Sequence, residues 1–182
     1  MNKFFFTFFF LAILCIIIRK MTKRFSTPDI SDKYSHSLAI NIQFHSFGKK
    51  EYFCGQVKTA QCPEDNSKLK EILSKDGSGQ VLLVDGNGSY KVALLGDMIA
   101  KQAIENSWEG VIINGCVRDV EILKTISLGI FAIGSCPVRS NKENRGALGQ
   151  PIEIGGISVK EGSWIFADES GVLVSKVKLE DS

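Results

Sequence analysis

Histidine is scarce in this chain. His36 and His45 are the only two, and no HExxH pattern links them. Any metal must therefore be held mainly by carboxylates and water. The five cysteines, at positions 15, 54, 62, 116 and 136, form no CxxC pair and follow no regular spacing. Neither a disulfide framework nor a zinc site is therefore indicated, and the pattern reads as buried or surface thiols in a reducing cytoplasm. A third glycine is missing from "VDGNGSYK", where Lys91 stands in its place, so the stretch fits a tight Asp-Gly-Asn-Gly turn better than a dinucleotide loop. No lysine lies inside an apolar strand, and a Schiff-base lysine needs such burial to lower its pKa. With 182 residues, 44% of them hydrophobic, the chain suits one domain with a core and is too short for two ordinary ones.

Acidic residues are absent from positions 1–24, which carry five Lys or Arg, so of 22 basic residues 17 remain for the body against 20 acidic ones. The body is thus slightly acidic at −3, and no basic run interrupts it. Direct binding of nucleic acid is not expected of such a surface. Residues 4–18 are apolar apart from Thr7 and hold six of the twelve phenylalanines. As a helix they would span roughly 22 Å, short of a hydrocarbon core of about 30 Å. No small-x-small cleavage site follows, and Leu14 stands where a lipoprotein signal has a small residue. Three readings of this leader stay open: upstream sequence translated in frame ahead of a start at Met21, an uncleaved anchor, or a cleaved signal. Membrane contact is expected only if the segment is retained, and its basic flank would then keep the body cytoplasmic.

Residues 25–182 read as one domain without internal repeats. "QVLLVDG" (80–86) is a continuous apolar run that fits a buried strand, and "EGVIING" (109–115) and "IFAIGS" (130–135) repeat the pattern. Between them "DMIAKQAIENS" (97–107) predicts a helix with Met98, Ile99, Ala103 and Ile104 on one stripe. "VEILKTISLG" predicts a second helix, closed by Gly129. Strands alternating with helices imply a parallel sheet with right-handed crossovers. From Pro151 to Ser175, alternation between glycine turns predicts antiparallel hairpins. The expected fold class is α/β with an antiparallel β-rich layer.

Candidate chemistry gathers in "GDMIAKQAIENSWEGVIINGCVRDV". Asp97 opens a helix directly after Gly96, where free first-turn amides can bind a carboxylate. Arg118 and Asp119 leave the end of the next parallel strand, the sheet edge where ligands bind in open α/β folds. Arginine offers a planar donor fork, and aspartate a hard oxygen ligand for Mg²⁺ or Mn²⁺. An adjacent Arg-Asp pair is also what a surface salt bridge or helix cap looks like. "CPVRSNKENRG" (136–146) reads as a polar, basic surface loop able to cover a pocket.

These stretches carry a family resemblance. "TPDISD", "SFGKKEYFCG", "VLLVDGNGS", "LLGDMIA", "WEGVIINGCVRDV", "LGIFAIGSCPVRS" and "IGGISVKEGSWIFADESGVLVS" occur in an order and spacing that cover residues 25–175. The chain resembles the regulator of ribonuclease activity A (RraA)-like family and its enzymatic branch, the 4-hydroxy-4-methyl-2-oxoglutarate aldolases. That branch is marked by an aspartate, twenty intervening residues and Arg-Asp, matched here by Asp97, Arg118 and Asp119. The resemblance implies a swivelling β/β/α fold and a metal-dependent class II aldolase with secondary oxaloacetate decarboxylase activity. It implies that Gly96, Asp97, Met98 and Ile99 hold the substrate carboxylate, that Arg118 contacts the keto oxygen, and that Asp119 ligates the metal. Asp97 would order metal-bound water. It also implies a small 2-keto acid substrate, a homotrimer, and an acidic residue donated by a neighbouring subunit, while the thiols and the basic flank lead to the expectation of a cytoplasmic body. Asp168 and Glu169 are visible candidates for that residue, although a turn carboxylate explains them too. Members lacking the full acidic motif resemble protein-binding inhibitors of an endoribonuclease, which is the second reading of function.

Overall fold

A computed structural model describes residues 25–180, so the leader and Cys15 lie outside the described residues. In chain order the first elements are helix α1 (Thr27–Lys33), strands β1 (Leu38–Ala39), β2 (His45–Ser46) and β3 (Phe53–Gln61), helix α2 (Ser67–Leu73), β4 (Gln80–Leu95) and helix α3 (Asp97–Glu105). Then come β5 (Gly110–Val117), the single turn α4 (Val120–Leu123), β6 (Gly129–Ser135), β7 (Ala147–Leu148), β8 (Ile152–Ile154), β9 (Ile157–Val159), β10 (Trp164–Asp168) and β11 (Gly171–Ser175).

The main sheet runs in the order β1, β11, β10, β3, β4, β5, β6, β2, with β7 added to β3. Its four central strands, β3 to β6, are parallel, and the flanking pairs are antiparallel. Successive side chains of a strand point to opposite faces, so β4 sends Leu82 and Val84 one way and Val81 and Leu83 the other. The first face packs against the helices through Leu69, Leu73, Ala100 and Ala103. The second is covered by the separate β8–β9 hairpin through Ile152, Ile154 and Val159. Because both faces are covered, Val81 to Val84 are all fully buried and the sequence shows an unbroken apolar run. Among the described residues no helix is long and apolar enough to cross a membrane.

A third, smaller cluster joins Phe25 and Ile30 to Phe166, Leu173 and Leu179. Asp168 clamps this corner, accepting from the Thr27 amide at 2.7 Å and the Thr27 hydroxyl at 2.6 Å. Its carboxylate is thus engaged in holding α1 to the β10–β11 turn, while Glu169 is exposed.

The α/β class and the alternation of elements agree with the sequence reading, and four local expectations are corrected. Strand β4 does not stop at residue 86 but continues to Leu95 through a kink, where Asn87 and Gly88 have φ of 56° and 64° and the pairing with β5 shifts register. Helix α3 does not bury Met98 or Ile104, which are exposed; its buried contacts are Ala100 and Ala103, with Ile99 packed at their edge. The helix after Asp119 lasts one turn, and Gly129 begins β6 instead of capping it. Gly129 and Gly110 are glycines because the Phe53 ring lies between them: a Cβ would come within 2.1 Å and 2.3 Å of it respectively. Finally, of the two tail hairpins only β8–β9 forms a separate layer, since β10–β11 extends the main sheet. Cys54, Cys62, Cys116 and Cys136 are free thiols. Burial pushes the Cys62 thiol up to about 12, which removes it from thiolate chemistry at neutral pH.

Candidate functional site

Sheet register turns a twenty-residue gap into a contact. Leu95, the last residue of β4, is paired with Val117, the last of β5, and the Arg118 amide donates to the Leu95 carbonyl at 2.9 Å. Gly96 therefore lies beside Arg118 and Asp119 at the carboxyl edge of the parallel strands. Gly96 has φ −134° and ψ −172°, an extended conformation open to any residue, so its side-chain hydrogen is needed for space. A Cβ there would come within 2.6 Å of Asp119 Oδ2 and 3.1 Å of Arg118 Cγ.

Asp119 holds a left-handed backbone, φ 58° and ψ 39°, uncommon outside glycine but tolerated by aspartate. The constraint comes from its carbonyl, which accepts from the Ile122 and Leu123 amides at 2.9 and 3.0 Å and so starts α4. The carboxylate stays free of that task and faces the Arg118 guanidinium, with Nε 3.3 and 3.2 Å from its two oxygens. Both side chains are about a quarter exposed, at 27% and 28%, and hence reachable from the cleft.

Helix α3 presents its first turn to the same place. Its first helical bond runs from the Ala100 amide to the Gly96 carbonyl, so the amides of Asp97, Met98 and Ile99 precede the ladder. Asp97 is tied to Lys101 one turn on at 2.9 Å. The Lys101 ammonium holds the Asp97 carboxyl below the usual carboxylate range, helped by the Met98 amide and Arg118 and opposed by partial burial. Asp97 is accordingly an ionised carboxylate at neutral pH. Sequence spacing alone gave no role to Lys101, although i, i+4 pairing on a helix was available as a signal.

Gly96, Asp97, Met98, Ile99, Arg118 and Asp119 line one cleft of about 500 Å³. That is an ordinary size for a small-molecule site. The opposite wall was not anticipated: Asn66 and Lys70 come from the start of α2, and Arg139 and Lys142 from the 136–146 loop. The loop, which the sequence reads as a surface loop able to cover a pocket, has a pinned backbone. The Ala93 amide donates to the Val138 carbonyl at 2.8 Å, and the Asn141 amide to the Glu64 carbonyl at 3.0 Å. Asp65, fully buried, accepts from the amides of Ser67, Glu143 and Arg145.

Burial alone would raise the Asp65 pKa, but the Ser67, Glu143 and Arg145 donors outweigh it and hold the carboxyl below its ordinary value. A depressed folded-state pKa stabilises the protein above the unfolded-state value, and that contribution is lost as pH falls through the folded one. Asp65→Asn is therefore expected to destabilise the protein by about 1–3 kcal/mol at pH 7, where amides lose a charged acceptor. The deficit should shrink as pH falls below the ordinary aspartate range. Urea denaturation at pH 7 and pH 3 measures this, and a deficit that is equal at both would show that the carboxylate's charge is irrelevant.

Among the described residues no three His, Cys, Asp or Glu side chains gather as a metal cage. The donor set at the cleft consists of Asp119, with Asp97 nearby, beside the space that Gly96 leaves open. Such a set fits a hard Mg²⁺-type ion that keeps most of its water and takes one or two carboxylates. It does not fit a zinc-type site closed by protein ligands.

Comparison with known proteins bears on the family and the fold. Residues 27–174 match the RraA-like family, described as Aldolase/RraA. A protein of Shewanella oneidensis, provisionally named a 4-hydroxy-4-methyl-2-oxoglutarate aldolase, is 46% identical over 153 residues, 84% of this chain and 93% of its own length. A Xanthomonas campestris protein with the same provisional name is 42% identical over 85% of this chain and 93% of its own. Among solved structures, the RNA-processing inhibitor RraA of Thermus thermophilus superposes with a TM-score of 0.84 at 39% identity, covering 86% of this chain and 96% of that one. A structure described as an S-adenosylmethionine:2-dimethylmenaquinone methyltransferase of Geobacillus kaustophilus gives the same score and identity over 87% and 99%. The fold, the matched span and these identities together establish that the chain belongs to the RraA-like family.

Proposed function

We propose that this protein is a metal-dependent class II aldolase that cleaves 4-hydroxy-4-methyl-2-oxoglutarate into two pyruvates and decarboxylates oxaloacetate as a secondary activity. The observation that carries the reading is the packing of Arg118 and Asp119 against Gly96 at the start of α3. The first-turn amides of α3 bind the carboxylate next to the 2-keto group. Arg118 donates to the keto oxygen and stabilises the negative charge that builds there as the C3–C4 bond breaks. Asp119, with water, would hold the divalent cation, Mg²⁺ or Mn²⁺, which when bound supplies Lewis-acid polarisation of the keto group. The 4-hydroxyl proton leaves as the C4 carbonyl forms, the C3–C4 electron pair passes to the enolate, and C3 then takes up a proton. Asp97, kept ionised by Lys101, orders water for these transfers. In oxaloacetate the same enolate forms on loss of carbon dioxide.

The reading includes a cytoplasmic homotrimer, in which a neighbouring subunit would cover exposed apolar side chains such as Met98 at the cleft. Purified full-length chain with Mg²⁺ should release pyruvate from both substrates, and chelator should abolish release until Mg²⁺ is restored. The likeness to the Thermus inhibitor favours a second reading, a non-catalytic protein-binding regulator of an endoribonuclease. Folded, Mg²⁺-supplied protein that leaves both substrates intact would favour that second reading.

A further inference from the structure

Two thiols that the proposed reaction does not use meet at the carboxyl edge of the parallel strands. Cys116, next to last in β5, is paired in register with Gly134 of β6, and Val117 with Ser135. Cys136 follows directly, its amide donating to the Val117 carbonyl at 2.9 Å. Alternation along the strands puts Cys116, Gly134 and Cys136 on one face. Gly134 leaves that face open between the cysteines: a Cβ there would lie 3.6 Å from Cys116 Sγ, so the Cys116 thiol leans toward β6. Cys136 leans the opposite way. Its thiol donates at 3.3 Å to the carbonyl of Lys91, in the bulged stretch of β4 between Ser89, which pairs with Gly115, and Ala93, which pairs with Cys116. The Tyr90 ring from the same bulge lies over Gly134, and its hydroxyl donates to the Ile133 carbonyl at 3.3 Å. Both thiols thus sit under one cover, Cys116 fully buried and Cys136 at 9% exposure. Burial and, after it, the neighbouring Cys136 push the Cys116 thiol above its ordinary value. The other described thiols lie apart, Cys62 in the helix-side core and Cys54 against the cluster around Phe166.

We propose that Cys116 and Cys136 are a reversible oxidation site, closed to a disulfide by hydrogen peroxide and reopened by a dithiol reductant, whose closure restrains both sides of the cleft. Cys136, the less buried thiol, loses its proton and attacks the peroxide; the O–O bond breaks, hydroxide leaves and a sulfenic acid remains. Cys116, deprotonated in turn, attacks that sulfur, so the S–S bond forms and a second hydroxide leaves. The two hydroxides and the two thiol protons make two waters, and the two sulfurs have given the peroxide two electrons. The bond brings the sulfurs to about 2 Å, which takes Cys136 off the Lys91 carbonyl and draws it toward β5. Cys136 opens the 136–146 loop that brings Arg139 and Lys142 to the cleft, and Cys116 stands two residues before Arg118. A bond between them therefore ties the motion of the loop to that of the Arg118–Asp119 corner. Its effect on turnover rests on the aldolase reading, and the bond itself does not.

The test uses the full chain, reduced, treated with hydrogen peroxide and freed of it, then alkylated in denaturant and digested. Mass spectrometry should find the Cys116 and Cys136 peptides joined, and dithiothreitol should return both to alkylatable thiols. Pyruvate release with Mg²⁺ should fall by about tenfold or more on oxidation, because groups that orient the reaction are displaced, and should recover with dithiothreitol. Cys136→Ser should give no joined peptide and keep its activity through both treatments. Backbone hydrogen exchange of the 136–146 loop should slow in the oxidised protein whether or not turnover is followed. Both thiols still alkylated after peroxide, or joined to other cysteines instead, overturns the site in the unchanged protein without recourse to the variant. A Cys116–Cys136 bond that leaves both pyruvate release and loop exchange unaltered overturns the restraint of the cleft. If the reduced protein releases no pyruvate, the aldolase reading fails, and the peptide map and the loop exchange still decide the oxidation site.

Discussion

Asp119→Ala is expected to lower kcat/KM for pyruvate release from 4-hydroxy-4-methyl-2-oxoglutarate by about 10³-fold or more, chiefly in kcat. The other acid of the donor set, Asp97, is held by Lys101 at 2.9 Å and so does not take over this carboxylate's task. Its loss also leaves Arg118 without its partner at 3.2 Å, free to turn from the keto oxygen. The fold should survive, because α4 is started by the Asp119 carbonyl, which every residue has. Alanine at a φ of 58° costs about 1–2 kcal/mol, a strain that Asp119→Gly avoids. Steady-state kinetics of both variants beside their urea midpoints separate the two effects: similar inactivity with different stability assigns the loss to the carboxylate. Activity of Asp119→Ala within tenfold of the unchanged protein would remove Asp119 from the proposed mechanism.

Part of this site was legible in the sequence because its signals are local or strictly spaced. Apolar runs announced β4, β5 and β6, and the strand-helix alternation placed Gly96 and Arg118 at one sheet edge before any contact was known. The opposite wall was not legible, for a physical reason. Lys70 reaches the cleft from a two-turn helix whose apolar stripe, Leu69, Ile72 and Leu73, marks the buried face and not what the polar face lines, and Arg139 and Lys142 reach it from a loop whose path depends on the buried Asp65. Nothing in "CPVRSNKENRG" reports that an aspartate more than seventy residues upstream holds its amides. The stripe assigned to α3 failed for a related reason. Periodicity ranks residues by hydrophobicity, whereas the close approach of α3 to the sheet selects small ones, so Ala100 and Ala103 are buried and Met98 is left at the cleft. Gly129 shows the same limit, since its want of a side chain answers to the Phe53 ring, a neighbour distant in sequence.

Gly96→Ala is the sharper probe of how the site is assembled, because it removes no chemical group. The backbone there is extended, so alanine adds no conformational strain, and its Cβ meets the Asp119 carboxylate oxygen and the Arg118 Cγ, side-chain atoms and not a rigid backbone. Stability should therefore change by less than about 1 kcal/mol, while the carboxylate and guanidinium are each pushed aside. A displacement near 1 Å of groups that orient the reaction costs about 10²-fold in rate, and that is the expected fall in kcat/KM. The decisive comparison is the double variant. If Gly96 acts by making room for Asp119, adding Gly96→Ala to Asp119→Ala should cost little beyond Asp119→Ala alone, because the clash with Oδ2 is gone. If the two losses instead multiply, Gly96 serves the site through the α3 amides, independently of Asp119.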